Sequence, residues 1–123
     1  MKQSLAPGIR REKKVTITPD MGVSHLGNKG GLLSTPHMIG LMEYTSAESV
    51  TPHLDEHEQT VGTMVHVWHR SAVKTGEVVH CHSEVMEVER RRILFQVKVL
   101  YGDTVVGEGT HERYVIDMRK FNA

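Results

Sequence analysis

The sequence predicts an α+β fold in which one long helix packs on one face of an antiparallel sheet. Three observations support this fold class. One strand-like segment comes first, and a single helix-like stretch, Leu32–Val50, follows it. After Thr60 come four strand-like segments, joined by turns too short to connect parallel neighbours. The chain has 123 residues, which is the size of one domain.

The first strand is predicted near the start of the chain. Lys13–Pro19 (KKVTITP) has strand composition and stops at a proline. We expect residues 1–12 to form an N-terminal arm and residues 13–123 to form a single domain. Met21–Leu33 is rich in glycine and is typical of a loop.

The helix is predicted from its start signals and from its apolar spacing. Ser34 or Thr35 can cap it, and Pro36 suits the first turn, where the missing N–H costs little. Apolar and small side chains then recur three and four positions apart, which gives one largely apolar stripe. Pro52 follows the end of the helix. The stripe consists of Met38, Leu41, Met42 and Thr45.

The second half of the chain is predicted to be four strands joined by short turns. With the first strand they give five antiparallel strands that wrap one central helix, which is the hot-dog architecture. One such unit leaves a sheet edge unpaired, so we expect two copies to form a homodimer side by side. The four strands are Gly62–Val73, Glu77–Val88, Ile93–Tyr101 and Thr104–Met118.

Composition excludes several classes of function. Lys plus Arg and Asp plus Glu both number 15, so the net charge is zero and favours neither nucleic acid nor an anionic membrane as a partner. Cys81 is the single cysteine, so neither an intrachain disulfide nor a multi-cysteine zinc site can form. The N-terminus has no apolar signal core, and no stretch is long enough to span a membrane. We expect a cytoplasmic protein.

One carboxylate stands out because it lies in the apolar helix stretch, directly after Met42. Glu43 either points to solvent, as most helix glutamates do, or lies at the border of the core. A carboxylate at such a border loses hydration, and enzymes use this arrangement to make a carboxylate into a base.

Two further residues could act with Glu43. Thr35 precedes it by eight residues, about two helical turns, so the two lie on roughly the same helix face. The start of a helix offers free N–H groups to an oxyanion, although capping alone explains a threonine there. Alternation in GTMVHVWH puts His69 on one strand face with Thr63 and Val65, the face expected to meet the helix. His69 is therefore either beside the helix or a histidine at the edge of the core.

Nine histidines raise the question of a metal site. His53 and His57 are four residues apart, and His80 and His82 share one strand face, and both spacings could bind zinc. The first pair follows Pro52 in a polar segment where helical geometry is not assured. We expect no metal and no other cofactor.

Three motifs, taken together and in order, resemble one known family. STPHMIGLMEYT, GTMVHVWH and GEGTHERYVIDMRKFNA are similar to the fluoroacetyl-CoA thioesterase family of hot-dog acyl-CoA hydrolases. The resemblance covers residues 13–123. It implies hydrolysis of a small or medium acyl-CoA; the alternative is a hot-dog module that is non-catalytic or binds metal.

The resemblance also implies site residues. Thr35, Glu43 and His69 match the family's catalytic threonine, glutamate and histidine, and Gly62 and Arg113 match positions along the acyl pocket. By analogy Glu43 attacks the thioester directly or acts as a base through water. His69 would activate water or hydrolyse an acyl intermediate, and Thr35 would orient the carboxylate or the carbonyl.

One segment departs from the family pattern. In the fluoroacetyl-specific member the segment before the helix is longer and carries a phenylalanine lid. Here His25–Thr35 is short and without an aromatic residue, and Lys29 lies among three glycines, Gly27, Gly30 and Gly31. We therefore expect the reaction class to carry over and the preference for the fluorinated substrate not to.

Overall fold

A computed structural model describes residues 1–23 and 31–121. The elements follow the predicted order of one strand, one long helix and four strands. Three short 3-10 turns, Pro19–Met21, Thr51–His53 and Met118–Lys120, lie between or after them. The main elements are β1 (Arg10–Thr16), α1 (Thr35–Val50), β2 (Glu58–His69), β3 (Val78–Glu89), β4 (Arg92–Tyr101) and β5 (Thr104–Asp117).

The five strands form one antiparallel sheet in the order β1-β3-β4-β5-β2. Helix α1 contacts all five strands and lies across one face of the sheet. This arrangement confirms the predicted hot-dog fold, including a helix that starts at Thr35. Strands β1 and β2 are the two edges of the sheet.

The core lies between α1 and the sheet face that meets it. Alternate residues of β3 and β4 are buried there, as the period of two in a strand requires. The helix adds buried polar side chains, and two of these hydroxyls donate to helix carbonyls, Thr45 to Leu41 at 2.7 Å and Ser46 to Met42 at 2.8 Å. Core side chains with no exposed surface include Met38, Val50, Val79, Cys81, Val85, Ile93, Phe95 and Val99.

The beginning of the chain differs from the expected arm over residues 1–12. Strand β1 already begins at Arg10, where it pairs with Glu84 of β3, and the two side chains also form an ion pair at 2.8 Å. Leu5 is buried, and the Gly8 N–H donates to the Val85 carbonyl at 2.8 Å. The polar composition of residues 1–12 predicted a loose arm, but backbone and ion-pair contacts hold this segment against the sheet.

Strand β2 also differs from the prediction, because it spans Glu58–His69 and not Gly62–Val73. Its register against β5 shifts between Gly62 and Met64. The shift removes Thr63 from the helix-facing side on which alternation had placed it, and its hydroxyl donates to Glu112 at 2.8 Å. Gly62 takes that side instead, opposite the buried Arg113.

Candidate active site

The start of helix α1 carries the first predicted site residue. Ser34 is the cap, because its side chain accepts the His37 N–H at 3.2 Å. Thr35, one of the two caps that the sequence allowed, is therefore the first helical residue. Pro36 has no N–H, and the N–H of Met38 donates to the Ser34 carbonyl at 3.0 Å, so Thr35 has the remaining N–H of the first turn.

The hydroxyl of Thr35 contacts the imidazole of His69. Thr35 Oγ1 lies 2.7 Å from His69 Nδ1, which brings the first turn of α1 against the last residue of β2. Thr35 is exposed, whereas His69 Nε2 is buried and has no hydrogen-bond partner among the described residues. A buried ring nitrogen without a partner is costly, so this atom suits a water molecule or a substrate.

A depression of about 280 Å³ opens beside this pair. Apolar side chains from the segment before α1 form its apolar wall, and Arg70, directly after His69, also lines it. Residues 24–30, with Lys29, Gly27 and Gly30 of the segment expected to lack an aromatic lid, lie outside the described residues. The apolar wall consists of Val23, Leu32 and Leu33.

Glu43 lies in a second place, two turns further along α1. Its side chain is half-buried, which fits the border position rather than a fully exposed one. Eight helical residues separate it from Thr35, about 12 Å along the helix axis. Its carboxylate faces Gly62, because a Cβ added to that glycine would lie 3.1 Å from Glu43 Oε1.

Arg113 lies with Gly62 and Glu43. The same added Cβ at Gly62 would be 3.6 Å from Arg113 Nη1. Arg113 is buried, and burial lowers the pKa of its guanidinium while the nearby Glu43 charge partly opposes that shift. Among the described residues no ion pair within 4.0 Å joins the two side chains.

A third side chain, His111, lies with Glu43 and Arg113, and it was not predicted as a site residue from the sequence. His111 is 1 % exposed and lies 3.2 Å, through its Cε1, from the Cβ that Gly62 lacks. The available signal was alternation in THERYV, which puts His111 and Arg113 on one strand face. The same motif also contributes to the family resemblance.

Within one chain the predicted residues thus form two groups. We call Thr35 with His69 the hydroxyl–imidazole pair, and Glu43 with Gly62 and Arg113 the carboxylate group. Gly62 and His69 are the ends of an eight-residue run of β2, whose seven steps span roughly 23 Å in an extended strand. Within this chain the Glu43 carboxylate and the His69 imidazole therefore belong to different groups.

The histidine pairs considered as zinc ligands lie elsewhere. His80 Nδ1 is 2.9 Å from Glu12 Oε1, His82 Nε2 is 3.9 Å from the same oxygen, and His53 bonds Ser4. No group of three or more His, Cys, Asp or Glu side chains arranged to hold a metal occurs in residues 1–23 and 31–121. A larger depression of about 480 Å³ beside His82 has exposed charged walls and contains none of the predicted site residues.

Comparison with known proteins identifies the family. A family model described as FlK, fluoroacetyl-CoA-specific thioesterase, matches residues 17–119. The chain belongs to the FlK family. This membership confirms the predicted resemblance and the predicted class of enzyme, an acyl-CoA thioesterase.

Individual members of the FlK family are similar over nearly the whole chain. The fluoroacetyl-CoA thioesterase of Streptantibioticus cattleyicolor is 33% identical, over 100% of this chain and 94% of that protein. A solved structure of the fluoroacetyl-CoA thioesterase FlK has a TM-score of 0.88 at 31% identity, covering 98% of this chain and 94% of that one. A single-site FlK mutant in complex with fluoroacetate and CoA has a TM-score of 0.86 at 32% identity, covering 96% and 100%.

More distant structures share the fold of the FlK family. A thioesterase superfamily member from Thermus thermophilus has a TM-score of 0.87 at 24% identity, covering 97% of this chain and 89% of that one. At this identity the likeness shows the hot-dog fold alone. Separately, none of the helices in the described part of the chain is both long and apolar enough to cross a membrane.

Proposed function

We propose that this protein hydrolyses a small or medium acyl-CoA thioester and that Thr35, His69 and Glu43 carry the reaction. The observation that supports this most directly is the 2.7 Å contact between the Thr35 hydroxyl and the His69 imidazole at the start of α1. The chain belongs to a thioesterase family, and its Thr35–His69 pair lies beside a depression with an apolar wall. The polar pair could bind a thioester carbonyl, and the apolar wall could bind the acyl chain.

The chemistry needs an attacking group and a place for negative charge. Water or the Glu43 carboxylate adds to the thioester carbonyl carbon, and the carbonyl oxygen becomes an oxyanion near the Thr35 N–H. The C–S bond then breaks, and CoA leaves as a thiolate that takes up a proton. If Glu43 attacks directly, water activated by His69 hydrolyses the acyl intermediate; if Glu43 is a base, it takes the proton of the attacking water.

The separation of the two groups supports a homodimer. Edge strand β1 carries the charged run RREKK, which blunts an edge, whereas edge strand β2 exposes apolar side chains. Val61 and Val65 are 42% and 38% exposed, and Trp68 is 50% exposed. We propose that two copies pair antiparallel through β2, which covers these side chains and extends the sheet across both subunits.

The position of the two-fold axis decides whether the site is completed. His69 and Gly62 are equally far along the chain from a point between Val65 and His66. Antiparallel pairing of β2 about that point sets His69 opposite the partner subunit's Gly62. Each hydroxyl–imidazole pair would then meet the carboxylate group of the other subunit, and a dimer would contain two composite sites.

The family and the site support a proposal for the substrate, and Cys81 supports one for the location. FlK, the relative, is a fluoroacetyl-CoA thioesterase, and one of its mutants was solved with fluoroacetate and CoA. We propose an acyl-CoA as the substrate here, without a preference for the fluorinated acyl group. A cytoplasmic location accords with the single, unpaired Cys81.

The test uses purified protein, a panel of acyl-CoAs and detection of free CoA thiol. Glu43→Gln is nearly isosteric, so we expect a normal fold and a turnover reduced by about 10²–10⁴-fold or more. Glu48→Gln is the matched control on the same helix, since Glu48 instead pairs with Arg11 and Lys13. Release of CoA at similar rates by both variants would overturn the role of Glu43, and no release by the wild type would overturn the function.

A further inference from the structure

His111 is a buried histidine with a partner at each ring nitrogen. Nδ1 lies 2.8 Å from the Met64 carbonyl oxygen, so Nδ1 carries a proton and donates it. Nε2 lies 3.2 Å from Arg113 Nη1, and an arginine only donates, so Nε2 accepts. The two contacts define one neutral tautomer. Burial lowers the pKa of the His111 imidazole, which also favours the neutral ring.

Arg113 is held by all three of its nitrogens. Nε donates to the Thr60 hydroxyl at 2.8 Å, and Nη2 donates to the Thr60 carbonyl at 2.9 Å. His111 holds the third nitrogen, Nη1. Three of the five N–H groups of the guanidinium are therefore used inside the protein, and one on each terminal nitrogen remains.

The nitrogen that His111 holds is also the Arg113 nitrogen that borders the space beside Gly62. Arg113 Nη1 and Glu43 Oε1 both border the space left by the missing side chain of Gly62. Thr60 accepts from Nε and Nη2 and so holds one edge of the guanidinium. Without a further partner, the plane could still tilt about that edge and move Nη1. An acceptor at His111 Nε2 fixes the plane, because a guanidinium is rigid and flat.

We propose that His111 is a positioning residue of the thioesterase, which holds Arg113 Nη1 in place beside Glu43 and Gly62. This inference rests on the proposed function, since it gives Glu43 a chemical role. His111 itself does not touch the reacting atoms. It acts through Arg113, whose remaining Nη1–H points a fixed positive group at the space between Glu43 and Gly62.

Packing alone gives a different account of the same residue. The His111 ring stacks near Phe95, with centroids 6.1 Å apart and planes tilted by 26°. A histidine kept only for this contact needs no acceptor toward Arg113. The two accounts differ in which ring nitrogen matters, so substitutions that keep one nitrogen at a time separate them.

The charged groups that face His111 come from two elements. Arg113 and Glu112 lie on its own strand β5, and Glu43 lies on α1. From β2 the ring meets the Met64 carbonyl, and from β4 it meets Phe95, and neither of these ionises. Protonation of Nε2 would remove the acceptor and set a second cation against Arg113.

The experiment compares His111→Gln with His111→Asn in the purified full-length enzyme. The Gln amide reaches the position of Nε2 and can accept from Arg113, whereas the Asn amide reaches the position of Nδ1 and can donate to the Met64 carbonyl. Each variant loses one hydrogen bond, so we expect similar losses in Tm. We expect His111→Asn to lower kcat at least tenfold with KM within threefold of wild type, and His111→Gln to stay within threefold in both.

A double mutant shows whether His111 acts through Arg113. Arg113→Met removes the group that His111 is proposed to hold, so adding His111→Asn should slow the reaction by less than twofold more. His80→Asn, on an exposed strand face, is the control and should keep wild-type turnover. Equal kcat for the Asn and Gln variants, or multiplicative losses in the double mutant, would overturn the positioning role.

Glu43→Gln, measured in the same series, separates this inference from the proposed function. If Glu43→Gln abolishes turnover and His111→Asn leaves kcat unchanged, the function stands and the role of His111 is wrong. If Glu43→Gln keeps wild-type turnover, the catalytic assignment itself is wrong, and the role of His111 is wrong with it.

Discussion

Thr35 and His69 are 34 residues apart in the sequence, and their side chains are 2.7 Å apart in the structure. One is the first residue of α1 and the other is the last residue of β2. The contact therefore joins the start of α1 to the end of edge strand β2.

Alanine substitutions at Ser34 and Thr35 should affect different properties, stability at Ser34 and turnover at Thr35. Because Ser34 is the cap, Ser34→Ala should cost about 1 kcal/mol of unfolding free energy. Thr35→Ala should leave stability nearly unchanged and slow turnover, because it removes only the hydroxyl that bonds His69. Thermal melts and acyl-CoA turnover on both variants test this. A loss of stability in Thr35→Ala equal to that of Ser34→Ala would contradict the assignment of the cap.

Mixing two inactive variants should restore thioesterase activity if each site spans two subunits. We expect His69→Ala and Glu43→Gln each to be inactive alone. Mixed after subunit exchange, half of the dimers would carry one intact site of two, which gives roughly a quarter of wild-type activity. Light scattering on the wild type gives the oligomeric state in parallel. A mixture that stays inactive although subunits exchange would place the whole site in one chain.

Two glycines, one facing Glu43 across from β2 and one in α1, should respond differently to alanine. At Gly62 the new Cβ would lie 3.1 Å from Glu43 Oε1 and 3.2 Å from His111 Cε1, so the carboxylate must move and turnover should fall. At Gly40, inside α1, a Cβ meets no atom within 4 Å, and alanine should stabilise the helix by roughly 0.5–1 kcal/mol. Turnover and chemical denaturation of both variants test the contrast. Gly62→Ala with wild-type turnover would show that the carboxylate does not need this space.

His111 should make the protein less stable in mild acid. Its folded-state pKa is lowered, chiefly by burial, so the unfolded chain takes up the proton first. Its contribution to stability is then complete above about pH 6.5 and is lost as the pH falls through the folded-state pKa. Arg113 strengthens the shift, whereas Glu43 and Glu112 weaken it. We expect Tm to fall from pH 7 to pH 5 more steeply in the wild type than in His111→Gln; parallel curves would contradict this.

Cys81 should not react with thiol reagents in the folded protein. It has no exposed surface, and burial raises the pKa of its thiol to about 11. The reactive thiolate is therefore scarce at neutral pH. Titration with a chromogenic disulfide reagent should find no thiol until denaturant is added. Fast reaction in native buffer would show that the core between α1 and β3 opens readily.

Much of the fold could be predicted because its patterns are local. Proline and a cap fixed the start of α1, and the buried alternation of β3 and β4 matches the period of two. The ends of β1 and β2 could not be read in this way. Arg10 and Glu58 are charged residues at strand ends, and the residues opposite them in the sheet register, Glu84 and Asp117, lie far along the chain.

The candidate site could be predicted as a set of residues but not as an arrangement. The family resemblance supplied Gly62 and Arg113, and the register shift of β2 that puts Gly62 on the helix side leaves no mark in the alternation. The resemblance named Glu43 and His69 together as well. Only the structure shows that one chain keeps them apart, because the distance depends on how α1 crosses β2.

The separation of Thr35 and His69 from Glu43 has a kinetic consequence. If each composite site needs two chains, turnover per chain depends on the fraction paired, so a diluted enzyme loses specific activity by mass action. A plot of specific activity against enzyme concentration would then be a binding isotherm for the subunits. Its midpoint would give the dissociation constant of the proposed dimer, in which two β2 edge strands pair, and CoA release would be the signal that measures it.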